Sequence, residues 1–124
     1  MKELSIKQRN NLKVGNSLGT EIHASADELR CFIVIGAYKI LENHGAIAVS
    51  KILNSNENIL YFIRKYEVNK EYIENNWDVH ETDLINSIRK KDISSLEELQ
   101  IELLKYIDDL SVLDVTWKFD NPIA

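Results

Sequence analysis

Asp78, His80, Glu81 and Asp83 form the densest set of potential metal ligands in the sequence. Carboxylates and an imidazole this close together have the chemistry to hold a divalent cation. Their spacing, however, is not the His-Glu-x-x-His of a helical zinc site, and Asp78 with Glu81 has the form of a capping box that needs no metal. The expectation is no metal and no other cofactor. Gly45-Ala46-Ile47-Ala48-Val49-Ser50-Lys51 has the outline of a phosphate loop, in which backbone amides and a lysine cradle phosphate. It lacks the second glycine, and Ile52 stands where a hydroxyl would hold magnesium. Ser87-Ile88-Arg89-Lys90 satisfies Ser-x-x-Lys without the companion motifs of acyl enzymes. His23, His44 and His80 are scattered, and Cys31 lies in the most apolar stretch, where thiolate formation is disfavoured. No catalytic residue emerges, so the chain is read as a non-enzyme; a nucleophile and base joined only by folding stay open as an alternative.

Charge and aromatic placement are more informative. The formal charge is −5 over 124 residues, unevenly spread: residues 1–66 hold nine basic and six acidic side chains, residues 67–124 six and fourteen. An acidic half repels phosphate backbones and attracts basic surfaces, which disfavours nucleic acid as its partner and favours a basic protein. Tyr72 and Trp77 precede Asp78 and Glu81, while Trp117 and Phe119 follow Asp108, Asp109 and Asp114. Rings surrounded by carboxylates suit a binder of basic protein, the rings supplying buried area and the charges speeding encounter. The candidate partner-binding residues are Trp77, Asp78, Glu81, Asp83, Asp108, Asp109 and Asp114. The blander reading puts the rings in the core and the carboxylates in solvent. Trp117, on the apolar side of an alternating segment, fits the core.

The elements that must position these groups are read as mostly helical, since one Pro and four Gly leave few interruptions. Residues 26–43 are expected to form a buried central helix, opened by a Ser25–Glu28 capping box and stopped at Gly45 beside His44. Residues 46–53 read as a short helix or a strand. Ile59, Phe62, Ile63 and Tyr66 recur at helical spacing, so 57–66 is expected as a helix too. Asn69 can cap a turn holding Tyr72, Ile73 and Trp77, and Asp78–Glu81 a further helix through Leu84, Ile85 and Ile88. Ser94 or Ser95 starts a helix presenting Leu96, Leu99, Leu103, Ile107 and Leu110. Residues 113–119 alternate and predict a strand, paired with 4–7, 12–14 or 18–23, or else added to another protein's sheet. The expected fold is mainly α, an α+β helical domain around that central helix with a small antiparallel sheet involving the C-terminal strand. Residues 1–124 are read as one domain.

With 44% hydrophobic residues, the composition supports an ordinary core and argues against a largely disordered chain. A single cysteine rules out an internal disulfide, and no apolar run is long enough for a membrane span. The N-terminal residues lack the apolar core of a secretion signal, so the cytoplasm is the expected compartment. The stretch Lys13-Val14-Gly15-Asn16-Ser17-Leu18-Gly19-Thr20-Glu21-Ile22 resembles the Lys-x-Gly-Asn-Ser-Leu-Gly signature of swapped-hairpin antitoxins of the MazE type. That resemblance implies a DNA-binding dimer barrel, helped by the basic residues Lys2, Lys7, Arg9 and Lys13. The long apolar segment that follows departs from the family, and Glu21 stands where a basic residue usually helps hold DNA. A Gly-Asn-Ser turn accounts for the same residues. The chain as a whole resembles the immunity partners of bacterial polymorphic toxins, including those of contact-dependent growth inhibition: small, acidic, rich in Ile, Lys and Asn, and free of catalytic motifs. This resemblance implies a tight, non-catalytic complex that blocks a toxin domain such as a nuclease, with carboxylates where phosphates would sit.

Overall fold

The computed structural model describes residues 2–41, 45–46 and 59–115. The chain runs α1 (Ile6–Lys13), β1 (Leu18–Ile22), β2 (Leu29–Leu41), β3 (Gly45–Ala46), β4 (Ile59–Asn69), α2 (Lys70–Glu74), β5 (Ile85–Ile93), α3 (Leu96–Leu103) and β6 (Asp114–Val115). Five strands lie in the order β5-β4-β2-β1-β6, every neighbouring pair antiparallel, with β3 paired to the far end of β2. The fold is therefore mixed α and β, organised by the sheet. The expectation of a helix-centred, mainly α domain is wrong.

The stretch read as a central helix is the central strand. Flanked by β1 and β4, β2 is buried on both faces: Ile33, Ile35 and Ala37 enter one cluster, Phe32 and Val34 another. A strand covered on both sides carries apolar residues at consecutive positions, which on a helical wheel looks like apolarity around the whole circumference. The β-branched run Ile33-Val34-Ile35 suits the strand. The supposed capping box at Ser25 does not form, because Ser25 donates to Glu67 instead. In β4 the helical spacing of Ile59, Phe62, Ile63 and Tyr66 has a two-sided explanation. Residues four apart share a strand face and residues three apart do not, so Ile59 and Ile63 join the first cluster while Phe62 and Tyr66 join the second.

Three shorter expectations also change. Asp78 and Glu81 do not open a helix; a 3-10 turn at Glu81–Asp83, closed by His80 N donating to Asp83 at 2.9 Å, leads straight into β5. Of the candidate strand partners near the N-terminus, only 18–23 is a strand, since Ser5 and Gln8 form a capping box that starts α1. Asp114 and Val115 pair with Gly19 and Leu18, as the outermost strand of a large sheet rather than part of a small one. The Asn69 cap and the Ser95 start of α3 are as read, although α3 ends at Leu103, and Ile107 and Leu110 reach the core from beyond it. Gly15, at φ 91°, makes the turn between α1 and β1 that the Gly-Asn-Ser segment suggests. The phosphate-loop outline beyond Ala46, His44, Trp117 and Phe119 lie outside the described residues.

One sheet face is covered by α1, α3 and the segment after α3, which bury Leu4, Leu12, Leu99, Leu103, Leu110 and Leu113 against Ile33, Ile35 and Ile63. The other face is covered in part. Tyr72, Ile73, Val79 and Leu84, from α2 and the connection after it, pack on Phe32, Val34, Tyr66 and Val68. Beyond that cover, the Phe62 ring lies across Gly36, where a Cβ would fall 2.4 Å from the Phe62 ring. Gly36→Ala is therefore expected to push Phe62 off the sheet and destabilise the fold by about 1–3 kcal/mol, read from the urea midpoint. The loss should shrink when Phe62 is also replaced by Leu, because the two changes act on one contact.

Candidate functional site

The connection that half-covers the second sheet face also carries the most exposed of the described Phe, Tyr and Trp rings. Asn69 Oδ1 accepts from Glu71 N at 3.0 Å and starts the short helix α2. Asn76, at φ 54°, reverses the chain, and Trp77 N then donates to Tyr72 O at 2.8 Å. Asparagine tolerates this left-handed conformation better than most side chains. The turn sets the Trp77 indole edge-on to Tyr72, with centroids 5.6 Å apart and planes at 86°. Tyr72 faces the sheet and fixes the pair; Trp77 is left 54% exposed. The carboxylates of Glu71, Glu74 and Asp78 are exposed on the same stretch. A fixed aromatic ring with acidic neighbours is the kind of anchor that buries well against a cationic surface.

The other predicted acidic residues are distributed differently. Glu81 forms an ion pair with Arg64 on β4 and lies 3.9 Å from Arg89 on β5. The Arg64 hydrogen bond holds the Glu81 carboxyl below the usual range. Asp83 accepts from His80 N, and Tyr72 Oη lies 3.5 Å from its other oxygen. Asp109 Oδ1 accepts from both Ser111 N and Ser111 Oγ, capping the 3-10 turn Leu110–Val112. Asp108 is exposed in the turn before it, and Asp114 lies on β6 with an oxygen on Val115 N. β6 and β5 are opposite ends of the strand order. The structure thus groups Trp77, Asp78, Glu81 and Asp83 on one connection and sets Asp108, Asp109 and Asp114 apart from them.

Sequence reasoning passed over Glu71 and Glu74, although both fall in the first and last turns of a helix whose cap it had identified. It also passed over the basic side chains on the part of the second sheet face that α2 and its connection leave open among the described residues, Arg64, Arg89 and Lys91. Their signal was the two-residue alternation of β4 and β5, which was masked by the helical reading. Arg64 sits over the Tyr66 ring, its carbon 5.2 Å from the centroid. Two β-bulges shape β5, each centred on a residue with positive φ: Asn86 at 50° and Asp92 at 61°. Each bulge turns a side chain back toward the sheet: Asn86 donates to Glu67, and Asp92 accepts from the Tyr38 hydroxyl at 2.5 Å.

Two observations on the described residues bear on chemistry. Burial pushes the Cys31 thiol up to about 11, so it is protonated at neutral pH and is a poor nucleophile. Among the described residues, no three His, Cys, Asp or Glu side chains gather to hold a metal ion. Comparison with known proteins finds no matching family model, no matching curated protein and no matching solved structure.

Proposed function

We propose that this chain is a non-catalytic binding protein that occupies a basic surface of another protein, in the manner of a toxin-neutralising immunity protein. The observation that carries the reading is Trp77: a large ring fixed by Tyr72 yet 54% exposed, on a stretch whose Glu71, Glu74 and Asp78 are also exposed. Leaving a tryptophan in water forgoes hydrophobic stabilisation, and interface hot spots are enriched in such residues. The carboxylates match a surface that holds phosphate, such as a nuclease substrate site, and would raise the association rate with it.

The test is neutralisation of a toxic basic domain encoded by the reading frame immediately upstream. Co-expression of this chain is expected to restore growth, and the purified pair to bind stably. Trp77→Ala should weaken binding by about 10- to 100-fold while leaving the thermal midpoint in place. Reversing the charges of Glu71, Glu74 and Asp78 should slow association at low salt. An unchanged affinity of Trp77→Ala would remove this surface from the interface. An association rate slowed instead by reversal at Asp108, Asp109 and Asp114 would move the interface to the opposite end of the sheet.

A further inference from the structure

Beside the Trp77 connection, the part of the same sheet face that no other described residue covers forms an open depression of about 320 Å³. Its lining is Tyr38, Phe62, Arg64, Arg89, Lys91 and Asp92. The floor is aromatic: the Phe62 ring is spread over Gly36, and Tyr38 stands 6.5 Å from it, tilted by 38°. Tyr38 is fixed at its far end, where its hydroxyl donates to Asp92 Oδ1 and accepts from Asp92 N at 2.8 Å. That double contact engages one oxygen of the Asp92 carboxylate, which lines the depression beside the cations. Arg64 is fixed by Glu81 and by the Tyr66 ring, whereas the Arg89 side chain is 61% exposed and only 3.9 Å-distant from Glu81. Lys91 is exposed two residues along the same strand. In a chain of charge −5, this is a place where three cations and two anions converge on an aromatic floor.

We infer that this depression binds a mononucleotide, the base lying on Phe62 and Tyr38 and the phosphate meeting Arg89 and Lys91. A flat ring gains dispersion contact on an aromatic floor, and Arg adds stacking and cation–π attraction at its rim. Residues two apart on a strand are separated by about 7 Å, a span that a phosphate group can bridge with different oxygens. The volume is in the range of small-ligand sites, which begin at about 300 Å³. The inference is independent of the proposed protein partner, since Trp77 does not line the depression.

The test is an NMR titration of the full chain with adenosine monophosphate, adenosine and inorganic phosphate, supported by the variant R89E/K91E. Both substituted side chains are exposed, so the fold should persist, as judged by an unchanged thermal midpoint and spectrum. Saturable shifts at Tyr38, Phe62 and Lys91 are expected with the nucleotide, and affinity at least tenfold weaker for adenosine and for phosphate alone. The double variant should lose at least tenfold in nucleotide affinity while Trp77-dependent protein binding is retained. Absence of a saturable shift at about 5 mM nucleotide, or equal binding by the double variant, would overturn the site. Tenfold tighter binding of a single-stranded oligonucleotide than of the mononucleotide would overturn the assigned ligand.

Discussion

Gln8→Ala is expected to destabilise the protein by about 2–4 kcal/mol, among the largest effects of any single polar substitution in it. Gln8 is 8% exposed and uses its whole amide. Its Nε2 donates to Leu110 O at 2.8 Å and Leu113 O at 2.9 Å, and its Oε1 accepts from Ser5 N at 2.8 Å. Truncation would take the side-chain donor from Leu113 O, leave Leu110 O with only the 3.3 Å bond from Leu113 N, and open the cap of α1 at the same time. Gln8→Glu should be no better, because a carboxylate cannot donate to either carbonyl. The measurement is a urea titration, in which the midpoint should fall with little change in slope. Amide exchange should show the loss concentrated in α1 and the β1–β6 pairing. A change below about 0.5 kcal/mol would mean that water replaces the amide without penalty.

Glu67→Gln is expected to cost about 2–3 kcal/mol at neutral pH, and less as the pH falls. Glu67 is 2% exposed, beside Cys31 in the register of β2 and β4. Burial opposes its ionisation, but hydrogen bonds from Ser25 N at 2.7 Å, Asn86 Nδ2 at 2.6 Å and Ser25 Oγ at 2.9 Å, together with the charge of Lys65, outweigh it and hold the carboxyl below its usual range. A carboxyl whose folded value is depressed contributes stability above its unfolded value, near about pH 4.3, and loses that contribution as pH drops through the folded value. The stability gap between the wild-type chain and Glu67→Gln should therefore be flat from neutral pH down to about pH 5 and narrow below about pH 4. Chemical unfolding at a series of pH values checks this. A gap that widens on acidification would show that Glu67 is held in its neutral form.

The same residue explains why the fold was only partly legible. Ser25 and Glu28 have the spacing of a capping box, but Ser25 is claimed by a carboxylate 42 positions away, a contact with no local signature. Phe32 through Ala37 read as helix because a strand buried on both faces has no alternation to betray it. β4 was harder still, since its apolar residues fit a helical repeat and a two-sided strand equally well. Where a local rule and the tertiary structure agree, the reading held: Asn69 caps α2, Ser95 caps α3, and Gly15 turns the chain into β1. Of the site, Trp77 and Asp78 were legible as an aromatic ring beside a carboxylate. The ion pair of Glu81 with Arg64 was not, because cation partners on β4 and β5 become neighbours only once those segments are strands.

The two bulges of β5 also bear on how the molecule behaves in a crowd of its own copies. Among the described residues β5 ends the strand order, and an end strand with free backbone groups is a template for fibre growth. Asn86 and Asp92 break its hydrogen-bonding rhythm twice, and Arg89, Lys90 and Lys91 place three consecutive positive charges between the breaks. A stacked second copy would meet a kinked ladder and like charges in register. Resistance to edge-to-edge stacking is thus written into this edge of the sheet, and a partner at this end has to grip side chains, because the backbone offers no straight strand to extend.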